Sequence, residues 1–304
     1  MRAFRAIVIA LAALLLAAPT AGAAPREYIL PGDDVFPEGV AVRPGTDQFF
    51  VTSTTDGTVF RGNLERARAR VFLEPGAHGR VNAVGLKATR DRLVVAGGAS
   101  GLVFVYSLPE GRLVRRFSIG SGGLANDVAF APGGDAYVTD SARGRVFRLP
   151  ARALRRSPQR VRELRPFVRL GDSPTGTYTN GIVAAGRRYL LVNSTATGAL
   201  VRVNRATRRV RRVRVPEGAL PAADGMARKG RTLYVVNSAS RVTVVRLSRD
   251  WLRARVRRQL TSPRLRFPTT VAIAGARLLV VNSQFAARGG TPQLPFTVAA
   301  LRRP

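Results

Sequence analysis

Six short stretches of the chain each carry one oxygen-bearing side chain beside small or apolar neighbours. "PEGVAV" holds Glu38, "RVNAVG" Asn82, "LANDVA" Asn126, "YTNGIV" Asn180, "AADGMA" Asp224 and "FPTTVA" Thr269. The set contains two carboxylates, three amides and a hydroxyl. Brought together bare, the two negative charges would repel. Around a hard divalent cation the same groups make a charge-neutral, all-oxygen shell of the kind calcium takes. Whether they meet depends on their spacing. The steps between them are 44, 44, 54, 44 and 45 residues, the signature of a repeat architecture in which equivalent positions share one place in every unit.

The elements that must position them recur in the same order. About a dozen residues after each marker comes an apolar strand ending in a small or polar residue: "FFVTS", "LVVAG", "AYVTD", "LLVNS", "YVVNS" and "LVVNS". A third strand follows a turn, opened in four repeats by Gly57, Gly101, Gly144 and Gly198, where a positive φ is expected. An arginine-rich fourth strand, such as "LVRRFS" (113–118) or "VRRVRV" (210–215), reads as an outer edge protected by charge. Four short strands in each of six units predict an all-β, six-bladed β-propeller with antiparallel blades around a central channel, over residues 24–304. "EYILP" (27–31) has no blade of its own and is expected to supply the outer strand of the last blade, beside "FTVAAL" (296–301). The long step to Asn180 is assigned to insertions near 150–162 and in "GDSPTGTY" (171–178). The "VNS" ends, Asn193, Asn237 and Asn282, and the long loop 282–296, a candidate lid, should share the face of the markers.

Taken singly, Asn180-Gly181 and Asp224-Gly225 are ordinary turn pairs; their equivalence across repeats is what makes them a site. The chain has one histidine, His78, so a multi-histidine zinc or copper centre is excluded. His78 lies in the loop before Asn82, either solvated or at the pocket rim as an acid or base. Asp140, in "VTDS", is a second candidate base against the simpler reading of a strand-end turn residue.

On these residues the chain resembles the family of regucalcin (senescence marker protein), gluconolactonase and luciferin-regenerating enzyme. The family's patches "EGV", "ND", "NG" and "DGM" are matched at Glu38, Asn126, Asn180 and Asp224. The resemblance implies a divalent ion, most simply Ca2+, held by Glu38, Asn180 and Asp224, with Asn126 a further ligand or a substrate contact. It implies hydrolysis of a lactone or related ester with Asp224 as proton acceptor. Asn82, Thr269 and His78 would join Asn126 in contacting the substrate. Where the family grips a sugar acid with an arginine two residues before the blade-three asparagine, this chain has Leu124. The other reading is a non-catalytic binding propeller whose calcium ion knits the blades together.

The first residues describe a secretory signal: Arg2 and Arg5, an apolar run over 6–18, and Ala21-Gly22-Ala23 before a cleavage expected near Ala24. Thirteen apolar residues fall short of the roughly 20 that span a bilayer. A secreted or extracytoplasmic protein is therefore expected, with residues 1–23 removed. No cysteine is present, which excludes disulfides and thiolate chemistry. The formal charge is +32, or +30 without the signal, and only Lys87 and Lys229 are lysines among 50 basic residues. Such lopsided use of arginine fits a coding bias. Without interleaved aromatics it predicts no specific nucleic-acid binding, at most weak contact with an anionic cell-envelope polymer.

Overall fold

A computed structural model describes residues 24–155, 160–171, 173, 176, 178–237 and 239–304. The signal segment lies outside these residues, as does part of 171–178. The chain forms a six-bladed β-propeller without an α-helix among the described residues. The innermost strands are Pro37–Val42, Leu86–Ala88, Ala125–Phe130, Thr179–Ala185, Ala223–Lys229 and Pro268–Ala274 in blades one to six. In each, a second and a third strand follow outward in antiparallel register; in blade one these are Gln48–Ser53 and Val59–Asn63. The turn glycines behave as the sequence requires, with φ of 78°, 64°, 58° and 63° at Gly57, Gly101, Gly144 and Gly198.

The ring closes as expected. Glu27–Ile29 pairs antiparallel with Thr297–Arg302, Tyr28 standing opposite Val298, and becomes the outer strand of blade six. Ile29 also meets Arg68 of blade one in parallel, so the first and last blades form one eight-stranded sheet. Buried Tyr28 packs edge-on to Phe49 at 4.8 Å, and its hydroxyl donates to the Leu64 carbonyl at 2.9 Å.

The core is divided into layers, one in each gap between neighbouring blades. Between blades one and two, for example, Phe50, Val59, Leu86, Phe104 and Tyr106 interdigitate. Arg80 is fully buried beside them and holds loops of both blades. It donates to the carbonyls of Gly57, Glu74 and Ala77 and to the Tyr106 hydroxyl. Bonds to neutral oxygens satisfy this cation without a carboxylate partner.

One element was not foreseen. Within the insertion between the third and fourth strands of blade three, Arg162–Glu163 pairs in parallel with Phe117–Ser118, adding a fifth strand to blade two. A two-residue strand is too short to leave a periodicity in sequence.

Candidate metal centre and channel

Five inner strands share one irregularity that aims their side chains. In blade one Pro37 pairs with Ser53 and Val40 with Val51, so Glu38 and Gly39 together face Thr52. The same bulge falls at Asn126, Asn180, Asp224 and Thr269. A bulge turns one side chain out of the sheet and is common beside functional sites. Its loose amide is recovered by a strand-two hydroxyl. Gly39 N donates to Thr52 Oγ1 at 2.8 Å and Asp127 N to Thr139 Oγ1 at 2.9 Å.

In this register Asn82 is not the blade-two equivalent. Leu86 opposite Val95 corresponds to Val40 opposite Val51, which puts Val84 in the position of Glu38. Asn82 stands two residues earlier, half-buried, and donates its side-chain amide to the Thr54 carbonyl. The ring therefore presents Glu38, Val84, Asn126, Asn180, Asp224 and Thr269. The signal for this was present in sequence: the residue after the marker is Gly39, Gly181 or Gly225 in three blades, and "AVG" offers Gly85 after Val84. These glycines permit close approach of neighbouring inner strands. A Cβ on Gly39 would lie 2.5 Å from the Val84 carbonyl oxygen, and one on Gly181 2.5 Å from that of Asp224.

Glu38, Asn126, Asn180 and Asp224 share a further property: each keeps one buried oxygen, Oε2 or Oδ1, without a hydrogen-bond partner. The amides are oriented by their nitrogen side. Asn126 donates to Ser141 Oγ at 2.7 Å and Asn180 to Thr195 Oγ1 at 2.8 Å, leaving the oxygens free. The other oxygen of Glu38 accepts from the Thr270 hydroxyl at 3.3 Å, and the Thr269 hydroxyl donates to the Glu38 carbonyl at 2.9 Å. Asn193 supports the ring from behind by donating to the Asp224 carbonyl at 2.7 Å. Asn237 and Asn282 donate instead to the loop carbonyls of Pro221 and Arg264.

The electrostatics disfavour full ionisation of the carboxyl groups at the ring. Burial first, then the charges of Asp224 and Asp127, hold the Glu38 carboxyl well above the usual carboxylate range. Burial, then Asp127, pushes Asp224 up to about 7. Asp127, the residue after the blade-three marker, is itself raised by burial and relieved by Lys87. Its carboxylate is engaged by the amides of Val128 at 2.7 Å and Ile182 at 3.0 Å, tying blade three to blade four. Three carboxyl groups in one desolvated channel cannot all ionise without a counter-charge. Among the described residues no cluster of three His, Cys, Asp or Glu side chains is arranged to hold a metal ion. Glu38, Asn126, Asn180 and Asp224, two carboxylates with two amides, offer oxygen donors alone, the donor chemistry of a hard ion rather than of zinc or copper.

Other candidates lie elsewhere. Exposed His78 packs its ring 5.8 Å from Tyr106 of the third strand, and its carbonyl accepts from Arg116 of the fourth, on the outer half of blade two. It is not brought to the ring. Asp140 is buried and occupied: it pairs with Arg143 at 2.7 Å and accepts from the Leu124 amide at 3.0 Å. The long loop after Asn282 folds against blade one, with Arg288 over the rings of Phe36 (4.9 Å) and Phe285 (5.1 Å) and bonded to Thr54 Oγ1.

No family profile and no curated protein sequence matches the chain. Solved structures do. The major Malassezia sympodialis allergen Mala s 1 superposes with a TM-score of 0.68 at 14% identity, over 91% of this chain and 96% of that one. Regucalcin from Agrobacterium tumefaciens, described as a calcium-binding protein, gives 0.62 at 14%, over 91% and 97%. Virginiamycin B lyase from Staphylococcus aureus gives 0.60 at 10%, over 91% and 98%. At these identities the likeness is one of fold: this chain is a β-propeller of the architecture shared by a calcium-binding protein, an allergen and a lyase.

Proposed function

We propose that the protein is a secreted, divalent-metal-dependent hydrolase of a lactone or related ester, with Ca2+ the ion that best suits its donors. The observation that carries this reading is the set of four buried, unpartnered oxygens on Glu38, Asn126, Asn180 and Asp224. Leaving buried acceptors unmade is costly unless something binds them. When bound, a divalent ion supplies a Lewis acid for a carbonyl oxygen and acidifies water. The chain's own residues do the rest. Asp224 takes the proton at a carboxylate oxygen. Ser141 and Thr195 fix which amide atom faces the channel, and Val84 and Thr269 complete the wall. Leu124, in place of the sugar-acid arginine, directs the preference towards less polar lactones and esters.

The binding-module reading, with the ion purely structural, is favoured by one observation: no histidine reaches the ring, so Asp224 and Glu38 are the only titratable side chains among its six members. Equilibrium dialysis against calcium, followed by a panel of lactones and aryl esters with calcium, manganese or zinc, separates the two. Metal-dependent turnover supports the hydrolase; bound metal without turnover supports the module; no bound metal removes both. The exposed arginines of the outer strands, Arg255, Arg257 and Arg258 among them, would give at most weak attraction to anionic envelope polymers.

Gly181→Ala tests the ring through its scaffold. The added methyl meets the backbone of Asp224, which cannot swing away as a side chain would. Calcium affinity is expected to fall roughly 10–100-fold, as for other groups that orient ligands. An unchanged dissociation constant in a dye-competition titration would show that blade spacing does not set the ring.

A further inference from the structure

The inner strands continue past the oxygen ring, and two to four residues further on they line a cavity of about 290 Å3 towards the opposite end of the channel. Every blade contributes to its wall, through Val42, Lys87, Phe130, Val183, Ala227 and Ile273 among others. Apart from Lys87 and Arg228, all side chains of the wall are apolar. Arg228 is already committed. It donates from Nε to the Ala184 carbonyl at 2.5 Å and from Nη1 to that of Gly230, and its guanidinium stacks 5.3 Å from the Trp251 ring.

Lys87 enters no salt bridge among the described residues. The acidic groups it acts on, Glu38 and Asp127, belong to the ring level above, and Asp127 is held by two backbone amides. Lys87 also lines the cavity, where every other wall side chain except Arg228 is apolar. Its charge acts on those carboxyls without a salt bridge, and an uncharged apolar ligand in the cavity would add to the cost of holding a half-buried ammonium. A phosphate would need more donors than one ammonium supplies. An anion with a single carboxylate and an aliphatic body satisfies both wall and charge. The volume lies just below the roughly 300–1,000 Å3 of small-molecule sites, enough for one chain of about eight carbons.

We propose that this rear cavity binds a medium-chain monocarboxylate, its carboxylate on Lys87 and its tail against Val42, Val183 and Ile273. The site is separate from the oxygen ring and does not require the metal or the hydrolase reading. The test is calorimetric titration of the mature chain with octanoate in the presence of EDTA, so that a carboxylate bound to an ion at the ring is excluded. One-to-one binding is expected. Lys87→Met should weaken octanoate at least tenfold while leaving octan-1-ol little changed, and Lys87→Arg should retain most octanoate affinity. Ala88→Phe, filling the cavity, should abolish both ligands, with each variant's melting curve checked for folding. Absence of binding at millimolar octanoate, equal affinity for Lys87→Met, or binding only when calcium replaces EDTA would each overturn the proposal. If Ala88→Phe does not fold, the two lysine variants decide the matter alone.

Discussion

Asp224→Asn is expected to lower turnover of the protein's best lactone or aryl ester by roughly 10²- to 10⁴-fold, the range assigned to loss of a general base. The substitution keeps an oxygen towards the ring and nearly the same shape, so the shell keeps its ligand count and loses one charge. Calcium binding should therefore weaken far less than catalysis, because amide oxygens already serve at Asn126 and Asn180. Asn126→Ala, which preserves both carboxylates, should chiefly change KM or modestly weaken the metal. The ratio of the two effects separates proton acceptor from mere ligand. Full activity of Asp224→Asn with calcium bound would remove Asp224 from the chemistry.

The second large effect is on stability, and its sign depends on the metal. An ion that binds only the folded chain adds RT ln(1 + [L]/Kd), about 2.7 kcal/mol at a hundred times Kd. For a chain of this size that is a rise in Tm of about 5 °C. Without metal the carboxylates work the other way. Glu38 and Asp224 have folded-state pKa values raised above their unfolded ones, Asp224 to about 7 from 3.8. The folded state then holds protons that the unfolded state releases. In chelator, stability should be greatest at mildly acid pH and should fall as pH rises towards 7. Calcium should cancel that fall. Glu38→Gln should melt no lower than wild type in EDTA at pH 7.5, because a repelling carboxylate is gone, and should keep part of the gain from calcium, because an amide oxygen remains. Scanning calorimetry across pH, with and without metal, checks both halves. Identical melting curves in millimolar calcium and in chelator would leave the four free oxygens unexplained by an ion.

Much of this site was legible because a repeat fixes register. Five of six ring positions follow from the period alone, since equivalent residues on inner strands must share one depth in the channel. Blade two was misread at Asn82 for a physical reason: position is set by the bulge and the close backbone approach after it, not by the nearest polar residue. The glycine one residue downstream was the better guide. Asp127 was visible only as part of a motif. That it reaches the Ile182 amide of the next blade depends on how blades pack, which no local pattern encodes. Lys87 was hidden because a lysine that lines a channel looks like any charged strand residue until five other strands surround it. His78 and Asp140 had suitable chemistry, but tertiary packing placed one on the outer half of its blade and gave the other to Arg143.

The closing strand bears on how such a chain is made. Glu27 Oε1 accepts from the Thr297 hydroxyl at 3.2 Å, across a separation of 270 residues. A contact between residues so far apart is among the last to form as a chain emerges in order, because its second partner does not yet exist while blades one to five are complete. Until then Tyr28 and its neighbours stay with the nascent segment, and blade one exposes the edge at Arg68 that Ile29 will cover. The arginines of that strand, Arg66, Arg68 and Arg70, carry like charge along it and oppose pairing with a second unfinished copy. Blade six thus seals the ring, and the strand Glu27–Ile29 serves as its latch.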